Sequence, residues 1–513
     1  MKVTALNLAW ALIRRASVAR FHAALRDPRR AQERWLKDFL RDNAGTAYGR
    51  AHAYASITSV QQFRERVPVE SYETLAPWVE RIEGGEREVL TREPVLMLER
   101  TSGSVAGPKH IPYTRGLLGD FGAATGPWLD DLSLSFPRLF TSRQYWSLSP
   151  ASRDPEVTRG GVRIGLEDDT EYFDPATRFA MKRLFAVDGS VGRLREVEVW
   201  RQRTLEQLIA AEDLGFISVW NPSFFTLLMQ DLVARWASYA YPLPKQRRAE
   251  IEDRLEKAGA FVGEAIWPRL QLISCWTDAW AAQALPGLRR FFPTTPIQGK
   301  GLLATEGVVS FPLWGVEAPV AAVTSHFLEF MSLDDDGVFG VHELREGATY
   351  SPLLTTRGGF ARYRLPDQVR CVGFHQRAPL LRFEGRLDRG SDLRGEKLNA
   401  TFVERAVRDA LKEHPAQFAL LAPELSEVPR YVVYVEGARD PERLAANLEQ
   451  RLGEGMHYRY ARELGQLGAV VAQVVVDGEA RVLQELTRRG QRLGDIKPSG
   501  FDARPIWDGV FRK

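Results

Sequence analysis

Nothing constrains this chain more than Thr101-Ser-Gly-Ser-Val-Ala-Gly-Pro-Lys109, a stretch rich in hydroxyls and glycine and closed by a lysine. It stands between two runs that read as strands, Val95-Leu-Met-Leu98 and His110-Ile-Pro-Tyr-Thr114. Pro112 biases Ile111 away from helix and removes a donor, so the second run is extended. Thr114 then caps a helix beginning at Arg115. The order strand, loop, strand excludes a Walker A loop, in which Gly-Lys-Ser/Thr opens a helix; here Pro108 precedes the lysine and His110 follows it. Two readings fit the residues. One is an exposed hairpin turn. The other is a loop that wraps the phosphates of ATP, using backbone N–H groups made accessible by Gly103 and Gly107, the hydroxyls of Thr101, Ser102 and Ser104, and the Lys109 ammonium.

At 513 residues the chain is too long for one core, so a large domain plus a smaller one is expected. With 44% hydrophobic and 26% charged residues it reads as an ordinary soluble enzyme. The net charge is +3, from 69 basic and 66 acidic residues without a basic block, so no nucleic-acid partner is expected. Cys275 and Cys371 stand alone, without zinc or disulfide spacing, which suits a reducing cytoplasm. The apolar start, Val3 to Ile13, runs at once into Arg14-Arg15 and falls short of the roughly 18 apolar residues of a span. It reads as an amphipathic helix packed on the body, a membrane-surface anchor being the alternative, and no membrane partner is expected. A monomer is expected.

Helical spacing covers residues 4 to 42 and stops before Asn43-Ala-Gly45. Val67 to Tyr72 and Ile82-Glu-Gly-Gly-Glu86 read as turns and short helices, and Glu88-Val-Leu90 as a short strand. From 115 to 335, helical patterns (Leu205 to Ala211, Phe224 to Tyr239, Lys245 to Ala258) alternate with apolar runs such as Phe216 to Trp220 and Leu270 to Ser274. That alternation predicts stacked α/β units with parallel strands.

Two further stretches carry chemistry. In Gly299-Lys-Gly-Leu-Leu-Ala-Thr305-Glu306-Gly307, a hydroxyl and a carboxylate fall at a strand end, where α/β folds place ligands. Magnesium on ATP takes one or two carboxylates and keeps phosphates and waters, which makes Glu306 the candidate metal ligand; a plain turn pair is the alternative. In Leu354 to Asp367, Asp367 ends a strand segment and suits ribose hydroxyls, and Gly385-Arg386 precedes a change of composition read as boundary and hinge. Exposed surface groups are the alternative there.

Past this point the remainder is α+β. Asn399 caps a helix with Phe402, Val403, Ala406, Val407, Ala410 and Leu411 on one face. Val428 to Val435 reads as a strand, Asp440-Pro441 starts a second helix, and Ala469 to Val476 reads as another strand. Helix, strand, helix, strand suits a small ferredoxin-like lid.

Read together, the 101–109 loop, Thr305-Glu306, the Tyr363-Arg364-x-x-Asp367 segment and Gly385-Arg386 resemble the ordered motifs of the adenylate-forming superfamily of acyl-CoA synthetases, luciferases and peptide-synthetase adenylation domains. Thr46-Ala-Tyr-Gly49, Phe63-Arg-Glu-Arg-Val-Pro68, Tyr72, Ile82 to Glu86, His326-Phe-Leu-Glu-Phe330 and Gly359-Phe-Ala-Arg-Tyr-Arg364 resemble one branch, the auxin-responsive Gretchen Hagen family of acyl-acid amido synthetases. Leu493-Gly-Asp-Ile-Lys497-Pro498 resembles the superfamily's terminal lysine element.

The resemblance implies an α/β fold: a large N-terminal domain over residues 1–386, with stacked α/β layers and a β-barrel-like part, and a small α+β lid over 387–513. It implies a ligase dependent on ATP and magnesium that adenylates a small carboxylic acid and passes the acyl group to an amine, most often an amino acid. Lys497 would reach the carboxylate and α-phosphate, with Thr305 and Glu306 beside them. Thr101, Ser102, Gly103, Ser104, Gly107 and Lys109 would hold the phosphates and Asp367 the ribose hydroxyls, with Arg386 contacting the ribose or stabilising the closed lid. This chain departs from the family at Val105, Leu302 and Asp495. Since Leu302 stands where an aromatic ring commonly stacks on adenine, adenine would lie on aliphatic carbon or on another aromatic ring such as Phe383. An acyl-CoA ligase sharing the first half-reaction, and a degenerate nucleotide-binding protein, are the competing functions.

Overall fold

Asp27 and Pro28 divide what apolar spacing presents as one long helix. In the computed structural model the first helix, Lys2–Arg26, ends there, and the second runs Pro28–Asn43. The Asp27 carboxylate accepts the Arg30 N–H at 3.1 Å, and Pro28 takes the first turn, where a missing N–H costs nothing. The structure describes residues 2–100, 109–147, 156–165, 183–194, 196–335, 337–387, 390–491, 496–497 and 499–512. Among them no helix is long and apolar enough to cross a membrane. The first helix is packed on the body, as expected: Trp10, Phe21 and Leu25 are buried in the main core while Leu8, Leu12 and Ile13 face outward.

The expected parallel strands are present. Arg143–Trp146, Leu214–Ser218, Leu272–Ser274 and Ile297–Gln298 form one four-stranded sheet in that order, every pair parallel. Helices Val197–Ala210, Pro222–Ala234 and Lys245–Ala258 fall between these strands in sequence, the last with the bounds its spacing predicts. Arg235 interrupts the second, so the predicted run to Tyr239 is completed by a separate short helix, Trp236–Ala240. Eight further strands make a larger sheet in the order 310–311, 320–321, 378–386, 367–375, 349–355, 327–332 and 338–340, with Tyr363–Arg364 paired to Thr349–Thr355. Thr349–Thr355 is buried at every position, so both faces of the sheet are covered there.

Two expectations need correction. Glu88-Val-Leu90 is not a strand; its carbonyls cap the helix Ala47–Ala51, the N–H of Ala47 reaching Glu88 O at 2.8 Å and that of Tyr48 reaching Val89 O at 2.9 Å. Asp367 begins the strand Asp367–His375 rather than ending one, because Pro366 denies the preceding position a ladder donor.

The chain divides into two compact units: residues 1–277, 284–365 and 369–383, and residues 278–283, 366–368 and 384–513. In the second unit, Asn399 caps helix Ala400–Glu413 by accepting the Phe402 N–H at 2.8 Å, and Asp440 caps Pro441–Leu452. The order of elements differs from the one the sequence suggests. A strand Phe418–Glu424 precedes Arg430–Glu436 and pairs antiparallel with it, and Val471–Val474 adds parallel on the other side. Val403, Val407, Leu444 and Leu448 are fully buried with Tyr431, Val433 and Val435, which gives this unit its own core.

Candidate active site

The glycine-rich stretch falls between two paired strands, as its flanks predict. Met97–Arg100 and His110–Tyr113 are antiparallel, with Arg100 opposite His110, so the chain between them leaves and returns at one end of the hairpin. Thr101, Ser102, Gly103, Ser104 and Gly107 lie outside the described residues; Lys109 is described. Its Nζ stands 5.6 Å from the centre of the Tyr72 ring, a cation–π separation. Tyr72 Oη accepts the His110 N–H at 2.7 Å, and His110 Nδ1 is 2.6 Å from Glu83 Oε1. His110, at the start of the returning strand, thus reaches both ends of the helix Tyr72–Glu83.

Thr305 and Glu306 form the two-residue turn of a small hairpin, Ala304 facing Gly307 and Leu303 facing Val308. Tyr113, at the end of the strand that follows the glycine-rich stretch, donates its hydroxyl to Thr305 O at 2.6 Å. That contact joins the two motifs across 192 residues. On the other side, His326 Nε2 accepts the Val308 N–H at 2.9 Å. A nitrogen that accepts carries no proton, so the imidazole proton is on Nδ1, 3.7 Å from Asp120 Oδ2. His326 is fully buried, and burial with the nearby Arg357 charge lowers its pKa to about 3, which keeps the ring a neutral acceptor. Asp120 pairs with Arg357, and its backbone carbonyl accepts Ser325 Oγ at 2.6 Å. Gly307 is required where it stands, since a Cβ would meet His326 Nε2 at 2.6 Å. Glu306, carried on this hairpin, is 8% exposed.

Leu302 is buried in the main core, with Phe383 partly buried against the same core. Asp367 is also buried, and its Oδ1 accepts no hydrogen bond among the described residues; it stands 4.0 Å from Arg386 Nη1. A buried carboxylate oxygen with a charge partner but no donor can take a hydroxyl. Arg386 ends the strand Ala378–Arg386, its carbonyl accepting Thr401 Oγ1 at 3.3 Å. Lys497 is half-buried in the second unit. The segment just beyond it is fixed to the Phe418–Glu424 strand, with Leu421 N–H to Gly500 O at 2.8 Å and Asp502 N–H to Leu421 O at 3.0 Å. Asp495 lies outside the described residues.

Motif reading alone missed Tyr113 and the role of His326. Both stood inside quoted motifs, but nothing in their spacing says that one holds Thr305 and the other Val308.

The patterns of the GH3 family N-terminal, central and C-terminal domains match residues 17–246, 320–386 and 401–501, in that order. A putative indole-3-acetic acid-amido synthetase GH3.10 of Oryza sativa subsp. japonica is 25% identical over 425 residues, covering 78% of this chain and 86% of its own. The jasmonoyl--L-amino acid synthetase JAR4 of Nicotiana attenuata is 22% identical over 480 residues, covering 83% and 79%. The solved structure of AtGH3.15 acyl acid amido synthetase in complex with 2,4-DB matches with a TM-score of 0.82 at 19% identity, over 97% of this chain and 95% of that one. With all three family domains present in order and the same fold over nearly its whole length, the chain belongs to the GH3 family.

Proposed function

We propose that this chain is an ATP-dependent ligase that activates a small carboxylic acid as its acyl-adenylate and transfers the acyl group to an amino acid. Family membership and the names of its relatives, acid-amido synthetases for indole-3-acetic acid and jasmonic acid, support the reaction class. The observation that carries the site is the Tyr113 to Thr305 hydrogen bond, which ties the stem of the phosphate loop to the Thr305-Glu306 turn.

In the first step a carboxylate oxygen of the acid attacks the α-phosphorus of ATP, and pyrophosphate leaves. In the second the amine nitrogen attacks the acyl carbon, AMP leaves, and the nitrogen loses a proton. Negative charge crowds at the α-phosphorus in the first step, so fixed positive charge and donors there lower the barrier. Thr101, Ser102 and Ser104, the backbone at Gly103 and Gly107, and Lys109 hold the phosphates. Asp367 accepts from the ribose hydroxyls with Arg386 beside it, and Phe383 offers a ring to adenine. Lys497 supplies the charge at the α-phosphate.

The residues suit a magnesium ion that keeps phosphates and waters as most of its shell. Glu306 offers one buried carboxylate, and among the described residues no group of three or more His, Cys, Asp or Glu side chains forms an all-protein cage. Bound there, the ion would neutralise phosphate charge. Exchange of labelled pyrophosphate into ATP, dependent on an added acid and independent of amine, tests the assignment. Exchange that needs coenzyme A, or acyl transfer to its thiol in preference to amino acids, would give the acyl-CoA ligase reading instead.

A further inference from the structure

The C-terminal ends of the parallel strands line up Trp146, Ser218, Ser274 and Gln298 in one register row. In open α/β sheets this edge is where ligands sit. Lys300 reaches back to the row from just beyond the last strand, its Nζ 2.7 Å from Ser218 Oγ. Three indole rings surround the ammonium, with centres 5.4 Å (Trp128), 5.9 Å (Trp146) and 5.0 Å (Trp220) away. Chain geometry forces the lysine into this place. A Cβ at Gly299 would meet Thr277 Oγ1 at 2.4 Å, and one at Gly301, where φ is +79°, would meet Ser310 O at 2.5 Å.

Lys300 is 6% exposed, and no carboxylate pairs with it among the described residues. A buried ammonium with one neutral acceptor is costly. Its neighbours along the row share the imbalance. Trp128 Nε1–H donates to Gln298 Oε1 at 2.9 Å, which fixes the amide and leaves Nε2 as the open end; Nε2 is buried without a partner among the described residues. Ser274 Oγ is likewise buried without a partner among them. Ser218 Oγ accepts from the ammonium, so its own proton is free to be donated. Gln298 Nε2 and the Lys300 ammonium can only donate and the two serine hydroxyls can donate, so an anion that accepts from all four is the complement.

We propose that Lys300, Ser218, Ser274 and Gln298 form a subsite for a non-reacting carboxylate of a substrate, either a second carboxylate on the acyl acid or the α-carboxylate of the acceptor amino acid. The proposal rests on the ligase reading above. Burial lowers the lysine to about 7, with the neighbouring Cys275 acting weakly the other way, so binding of an anion takes up a proton near neutrality and weakens as pH rises past that point. A lysine that served only to pack the three indoles would show neither carboxylate selectivity nor this pH dependence.

The test compares wild type with Lys300→Met and the milder Ser274→Ala. Acid-dependent pyrophosphate exchange is measured with succinate, glutarate and phthalate, each against its monoamide. Amide synthesis, with whichever acid exchanges fastest, is measured with L-alanine, L-leucine and L-aspartate, each against its α-amide. The expected result is that Lys300→Met raises KM for the carboxylate member of one set on the order of 10²-fold and leaves its amide counterpart and kcat nearly unchanged, with a smaller shift in Ser274→Ala. A shift confined to exchange identifies the acid as the source, and one confined to amide synthesis identifies the amino acid. Equal losses on carboxylate and amide members, or no change in either set, would overturn the subsite while leaving the ligase standing. Absence of exchange with every acid in the wild-type protein would overturn both.

Discussion

His326 and Lys300 are bases buried in this fold, and burial pushes both toward the neutral form. For His326 the folded pKa of about 3 lies below the ordinary 6.5, so between these values the unfolded chain binds the extra proton. Its contribution to stability is complete above pH 6.5 and is lost as the pH falls toward 3. Replacing it with His326→Gln should flatten the stability–pH curve from about pH 4 to 6 by roughly 1.4 kcal/mol per unit, read from urea midpoints. An unchanged slope would mean that the ring is not held neutral. Lys300 obeys the same sign over a higher window, stability rising with pH between about 7 and 10.5. The two acidic site candidates should separate kinetically. Asp367→Asn removes a contact present in both ground and transition states and should raise the KM for ATP with kcat preserved, whereas Glu306→Gln should weaken the response to magnesium. Identical defects in the two variants, in steady-state titrations of ATP and magnesium, would remove these roles.

Between elements, the motif Gly359 to Arg364 acts as a clamp. Arg362, in the left-handed region at φ +48°, donates Nε to Glu329 Oε2 at 3.0 Å and Nη1 to the carbonyls of Arg64 at 3.0 Å and Val67 at 2.7 Å. Its own carbonyl accepts the Glu70 N–H at 3.0 Å. Arg362→Met would strand buried acceptors and leave Glu329 with Arg64 alone, so a loss of roughly 3–5 kcal/mol is expected, measured by denaturant unfolding. A loss below about 1 kcal/mol would contradict the clamp. This scale also shows what the sequence could tell. Caps at Thr114, Asn399 and Asp440, and the helix Lys245–Ala258, were legible because the signals are local. The strand Phe418–Glu424 was not, since its alanines and Pro423 carry little strand preference and its pairing with Arg430–Glu436 supplies the order. Glu88 to Leu90 misled for the opposite reason, its carbonyls being taken by a helix terminus 41 residues upstream. The motif residues of the site were readable by resemblance, but the Tyr113–Thr305 and His326–Val308 contacts, and the row at Lys300, exist only in the folded register.

At the scale of the whole molecule, two units with separate cores carry different parts of the proposed chemistry: Thr305, Glu306 and Lys109 on the larger, Lys497, Asp367 and Arg386 on the smaller. Lys497→Ala should therefore lower the adenylation rate on the order of 10² to 10³-fold while ATP affinity and the unfolding midpoints stay near wild type. Unaltered exchange in this variant would take Lys497 out of the mechanism. The central claim, that the chain joins an acid to an amino acid through an acyl-adenylate, is tested most directly by one single-turnover experiment. ATP labelled at the α-phosphate is mixed with enzyme, magnesium and a panel of acids, and amino acid is added after a delay. Enzyme-bound acyl-AMP should form with release of pyrophosphate before the amino acid arrives, followed by AMP and amide in equal amounts. Label appearing in ADP, or AMP formed without amide for every acid and amino acid offered, would contradict that claim.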